Sequence, residues 1–258
     1  MAQRLRLVGY MLMAFGLVFF VGSGVAFSIY NDGKNSLQSF SEVQNVELSY
    51  NEEGQLTDRG QTEEADKIMA MLTDEWGYPV SDREMDASDP LVNTASEYMY
   101  QMATIVYHSI SGTTEITLME DQVVDAEGNP VTEITVGDET LAVPQPFPAE
   151  GWTIEYPVDF KYWADFDRTN PADAVARGQV WTGTVHGLVG ELGVGTVTAS
   201  ALKLALGLTA LLAGLGAIFL LTGAGLFWTS GAAGQTAPLR REDALDAAPS
   251  REKDLVGV

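Results

Sequence analysis

Apolar positions gather at the two ends of this chain. Residues 7–29 and 204–228 are uncharged apolar runs of 23 and 25 residues. At about 1.5 Å per helical residue each run reaches roughly 35 Å, enough to cross a hydrocarbon layer of about 30 Å. Both are read as transmembrane helices. Tyr10, Tyr30, Phe227 and Trp228 stand near the run ends, where aromatic rings anchor at headgroup depth. Lys203 opens the second run and is placed to extend toward the interface. The first run also has marks of a cleaved signal, with Arg4 and Arg6 ahead of it and small residues at 22–26, where cleavage would follow Ala26. A signal core is usually about 7–15 apolar residues, whereas this run continues through Phe27 and Ile29, so a retained anchor is expected.

Between the runs the periodicity becomes mixed, which predicts an α+β domain over residues 30–197. A polar juxtamembrane stretch, 31–44, leads to an alternating segment at 46–50 and a turn at 51–54. Thr62, followed by Glu63, Glu64 and Asp66, opens a helix with Ile68, Met71, Leu72 and Trp76 on its apolar face, ended by Gly77 and Pro79. Asp89-Pro90 reads as a helix cap for a helix over 91–109. Segments 113–124 and 130–136 are rich in Ile, Val and Thr, and 125–129 between them reads as a hairpin loop. Further strands are expected at 140–143, 152–156 and 158–163. Asn170-Pro171 starts another helix, and the glycine-rich stretch 187–195 connects it to the second run. The Asp89-Pro90 and Asn170-Pro171 segments are alike in reading as helix caps, either a shared capping solution or a remote internal duplication.

Charge then adds a topology. The middle, 30–197, holds 31 acidic and 7 basic side chains, a net charge of −24 within a chain of −22. Arg4 and Arg6 precede the first run, and Arg240, Arg241, Arg251 and Lys253 follow the second. The positive-inside rule therefore places 1–6 and 229–258 in the cytoplasm, the latter as a disordered tail, and 30–197 outside the plasma membrane. So acidic a domain repels nucleic acid and anionic headgroups and attracts cations. A halophile also produces an acidic, lysine-poor chain. With no cysteine, disulfides, thiol chemistry and Cys-ligated metals are excluded, so a hydrophobic core must hold the domain.

Candidate chemistry is sparse. His108 and His186, joined by a carboxylate, would make a facial iron site; the plainer reading is a hydrogen-bonded or surface histidine. Asp121, Asp125, Glu127 and Asn129 offer oxygen ligands, but their spacing departs from an EF-hand loop, and a solvent-facing hairpin loop explains them as well. No nucleophile elbow, phosphate loop, dinucleotide fingerprint or HExxH is present. No catalytic, cofactor or metal residue is assigned. The membrane runs carry a stronger pattern: Gly9, Gly16 and Ser23 recur every seven residues, and Gly207, Ala210, Gly214, Ala217, Leu221 and Ala224 step by three and four. Such spacing predicts a close packing seam, between the two spans or with a partner.

The layout of an Arg-flanked first span, an external domain and a Gly/Ala-rich second span, with Asp167-Arg168-Thr169-Asn170-Pro171 matching an Asp-Arg-x-x-Pro motif, resembles small two-span actinobacterial membrane proteins. These often carry the label "aromatic ring-opening dioxygenase". The resemblance implies an actinobacterial envelope and no site residue. The expected function is that of a non-enzymatic accessory or interaction subunit of a membrane or envelope complex, partnered by the bilayer and another protein, not nucleic acid. The alternatives are an extracytoplasmic sensor or cation-binding module, and an envelope enzyme with an unrecognised site.

Overall fold

Both apolar runs are helical, and both helices outlast them. The computed structural model describes residues 2–235; Met1 and 236–258, the greater part of the expected C-terminal tail, lie outside the described residues. Helix α1 covers Ala2–Gln44 and helix α5 covers Gly183–Gln235. Each is long and apolar enough to cross a membrane. The polar stretch 31–44 and the glycine-rich stretch 187–195 are therefore helical, not loops. Glycine costs about 1 kcal/mol in a helix interior, and tertiary packing accounts for one of these: a side chain at Gly195 would meet the Tyr98 ring at 2.6 Å. The chain divides into a unit of the two apolar helical stretches and a middle domain, residues 31–204.

In the helix pair, each step of seven along α1 is matched by a step of seven back along α5. A methyl group at Gly9 would fall 2.8 Å from the Gly223 carbonyl oxygen, and one at Gly16 would fall 2.9 Å from that of Gly216. The Ser23 hydroxyl donates to the Thr209 carbonyl at 3.0 Å. Outside the seam, Phe19 stacks on Phe219 and Tyr10 tilts against Phe227. The α1 side of the expected seam holds. The α5 side is corrected: it is Thr209, Gly216 and Gly223, whereas no atom among the described residues lies within 4 Å of a side chain built at Gly207 or Gly214. The stripe through Gly207, Gly214, Leu221 and Ala224 is exposed.

The middle domain is mixed α and β. Strands β1 (Ser49–Tyr50) and β2 (Leu56–Thr57) pair antiparallel around a turn capped by the Asn51 side chain. Helix α2 (Thr62–Ala70) runs on through a π turn, Met71–Glu75, and buries Ile68 and Leu72 completely. Helix α3 covers Ala95–Ile110, four residues later than expected. Pro90 does not cap it, because 90–92 lie extended beside 46–48: Leu48 N–H donates to the Pro90 carbonyl at 2.8 Å, and Val92 N–H to the Val46 carbonyl at 2.9 Å. The start belongs to a capping box, Thr94 with Glu97. The Asp89-Pro90 and Asn170-Pro171 likeness thus does not extend to structure.

The sheets also pair differently from the expected hairpin. Strand β3 (Thr113–Leu118) pairs with β6 (Trp152–Pro157), placing Ile116 opposite Ile154. Strands β4 (Glu133–Val136) and β5 (Glu139–Ala142) form their own hairpin. Its turn glycine, Gly137, has φ +59, and a side chain there would also strike the Pro157 ring at 2.8 Å. Loop 125–129 is closed by a single bridge, Val124 to Pro130. Residues 158–163, expected as a strand, turn instead, with Asp159 and Phe160 at positive φ. Ile116 and Leu118 on β3 alternate inward into one core with Ile110 of α3, Tyr156 of β6 and Ala172 and Ala176 of helix α4 (Pro171–Val180).

Candidate functional site

The residues singled out for chemistry do not converge. His108, on α3, places Nε2 3.0 Å from Asp58 Oδ1 in hydrogen-bond geometry. Its 2.9 Å approach to Oδ2 lacks that geometry, so Oδ2 remains without a hydrogen-bond partner among the described residues. Tyr50 and Tyr100 hydroxyls are likewise buried and unpartnered among those residues. Burial, then the Glu97 and Asp86 charges, pushes Tyr50 up to about 12. Tyr100 is also raised, by burial first and then by Asp58. His186 belongs to an aromatic group. Its ring meets Trp163 edge-on at 4.8 Å and lies 5.7 Å from Trp181. Its Nδ1, 3.0 Å from the Thr182 carbonyl, must carry the proton, since that carbonyl only accepts.

The acidic loop serves its own backbone. Asp125 Oδ1 accepts from the N–H groups of Asn129 at 2.8 Å and Glu127 at 3.0 Å, and these bonds lower its pKa, Asn129 most. Asp121 sits on a separate short 3-10 turn, Glu120–Gln122. Among the described residues, no three His, Asp or Glu side chains are grouped to hold a metal ion.

The Asp167–Pro171 segment is a structural knot. Asn170 caps α4 through the Ala172 N–H at 3.1 Å and donates to the Thr135 carbonyl at 2.7 Å. Asp173, two residues into α4, is 5% exposed and accepts from Tyr156 Oη at 2.7 Å and the Asp167 N–H at 2.8 Å. Lys161 Nζ donates to Tyr156 Oη at 2.6 Å and lies 3.5 Å from Asp173 Oδ2. Burial, followed by the bond to Asp173, raises the Tyr156 pKa.

The feature that sequence reading did not find is a cavity of about 570 Å3 in the middle domain. Leu37 and Ser41 of α1, Tyr98 and Ile105 of α3, and Leu188 and Leu192 of α5 form much of its wall. Ser41 donates to the Val92 carbonyl, so its only hydroxyl hydrogen is used, and Tyr98 Oη donates to Ser41 Oγ at 3.2 Å. Those two hydroxyls are satisfied by the domain itself. Outside the cavity lining, Lys203 pairs with Glu84, which also accepts from the Ser96 N–H at 2.9 Å. The wall comes from three helices far apart in sequence, and the one local signal for it is the glycine at 195 where Tyr98 packs. No family model, no curated protein and no solved structure matches this chain.

Proposed function

We propose that this protein is a two-span integral membrane protein, with both termini cytoplasmic and the acidic middle domain outside the plasma membrane. It acts as an anchored, non-enzymatic interaction or accessory subunit. The observation that carries the reading is the inside-out chemistry of the helix pair. Small residues and backbone face the seam, while Val18, Val21 and Leu221 are 66%, 69% and 75% exposed. In water such surfaces are a liability; in lipid they are the solvent-facing side. Arg4 and Arg6 before α1, with Arg240 and Arg241 after the second run, support the orientation.

What the polar residues do supports the accessory role. His108, Asp125, Asp167, Asn170 and Asp173 are bonded within the domain. The exposed stripe through Gly207, Gly214 and Ala224 is the face assigned to a membrane partner. Anchoring raises the local concentration of envelope partners, so a modest interface suffices. The test is extraction from native membranes in mild detergent. The protein is expected in a particle larger than one chain, retained by His108→Ala and His186→Ala and lost with Gly214→Leu. A single-chain particle, or a role lost with either histidine in a folded protein, would overturn the accessory reading.

A further inference from the structure

We propose that the cavity between α1, α3 and α5 takes an acyl chain of a bilayer phospholipid, whose phosphate is held by Lys34. This rests on the membrane reading and names the ligand class of a site that reading leaves open. The wall is the first argument. Leu37, Ile105, Leu188 and Leu192 present hydrocarbon, and the Ser41 and Tyr98 hydroxyls are already paired. Glu191, exposed, is the one charged side chain among the lining residues. At about 570 Å3 the space falls within the roughly 300–1,000 Å3 of small-ligand pockets. Gln44 and Gln101 add two neutral amides, and an anionic ligand would face one carboxylate and no cation in that wall.

The second argument is the approach. Val194 lines the cavity, and Val197, Ala201 and Leu204 follow it along α5 in steps of three and four. Val194, Val197 and Leu204 are 67%, 70% and 76% exposed. Aliphatic side chains this exposed need a cover, and this stripe ends at Leu204, the first residue of the apolar run. A hydrocarbon chain following it from Leu204 to Val194 stays on apolar surface.

Charge supplies the third. Lys34 lies one turn before Leu37 on the cavity side of α1, is exposed, and has no ion pair among the described residues. It stands five residues past Ile29, about 7.5 Å along the helix, and the headgroup layer extends about 5–8 Å beyond the hydrocarbon. On the membrane reading, that rise along one continuous helix corresponds to phosphate depth, and Lys34 is a point cation on a domain otherwise strongly acidic. An apolar peptide from a partner would need neither the stripe from the membrane run nor a cation at headgroup depth.

The experiment uses the full chain reconstituted into phosphatidylcholine bilayers doped with phosphatidylcholine bearing a photoreactive group at the acyl-chain end. After illumination, labelled peptides are mapped by mass spectrometry. Label is expected on the cavity-lining parts of α3 and α5 as well as on 7–29 and 204–228. Ile105→Trp, which fills the cavity, should cut the cavity label by about tenfold while run labelling stays. Leu188→Trp, at the partly exposed rim, should do the same without altering the core. Lys34→Glu should lower the cavity label by about threefold. Label on the runs but not the cavity overturns this inference and leaves the membrane reading standing. Label on neither run overturns the membrane reading itself. Cavity label that both tryptophan variants leave unchanged also overturns the inference.

Discussion

At Gly16 the helix pair brings a backbone carbonyl closer than a methyl group would allow; at Asp173 the middle domain buries a carboxylate under four donors. The two regions use opposite means. The helix pair gains contact by deleting side chains, and its seam contains no titratable group. The middle domain gains order by hydrogen bonding: a capping box at Thr94 and Glu97, an Asx turn at Asn51, and the network of Asp173, Tyr156, Lys161 and Asn170. Where the surroundings are apolar, burial offers little drive and only close van der Waals contact distinguishes one partner face from another. Where the surroundings are water, a buried polar group must be satisfied or it destabilises the fold.

Alkaline pH should separate the two regions most sharply. Tyrosine ordinarily ionises near pH 10. Tyr50 is held up to about 12, and Tyr100 and Tyr156 are raised too. The folded state keeps these protons where the unfolded state has lost them. Their contribution is therefore fully present below about pH 10 and is lost as pH rises through the folded values. Near-UV circular dichroism of the full chain in detergent should show the middle domain unfolding above pH 10, with tyrosinate absorbance rising in the same step. The helical signal of α1 and α5 should persist. Simultaneous loss of all helix would erase the proposed contrast.

Next in size is Asp173→Ala. Lys161 and Tyr156 lose a shared acceptor, and the α4 network opens, at a cost of about 3 kcal/mol. Thermal melting should show it as a lower transition for the middle domain, with crosslinking of Ser23→Cys to Thr209→Cys in the helix pair unchanged. The native chain has no cysteine to interfere. A melting temperature within error of wild type would mean that the network is dispensable.

The smallest effect is expected within the seam. Gly16→Leu drives a side chain into Leu220 and the Gly216 carbonyl, for about 1–3 kcal/mol of overpacking. The same cysteine pair should then crosslink several-fold more slowly, whereas Gly214→Leu, facing open space, should leave the intrachain rate alone. Equal effects would place Gly214 in the seam after all.

Several elements were legible because one local signal dominated. Thr62 through Trp76 shows its acids, apolar face and Gly77 stop together, and Asn170-Pro171 both caps and opens α4. Gly9, Gly16 and Ser23 stand out because little else in the first run is small at that spacing. The second run has so many Gly and Ala that several stripes compete, and only the partner helix selects Thr209, Gly216 and Gly223. For α3, two start signals lie five residues apart, and long-range pairing of 90–92 with 46–48 removes the first. The pairing of β3 with β6 instead of its sequence neighbour is similarly long-range. The cavity is illegible for the same reason: α1, α3 and α5 each contribute a few ordinary residues, aliphatic and polar, and only their meeting makes a space.

A pattern that repeats every seven residues on both helices also matches itself when displaced. Sliding α1 by one repeat, about 10.5 Å, would set Gly16 against Gly223 and Ser23 against Gly216, still small on small. The glycines thus fix how near the helices come while saying nothing about the frame in which they meet. That choice falls to the ends of the repeat, where the slide would force Tyr30 onto Thr209 and give up the contact of Arg6 with Ser230. The seam works as a ruler whose marks are glycine and whose zero is written elsewhere, in residues that contribute little to closeness and decide the phase.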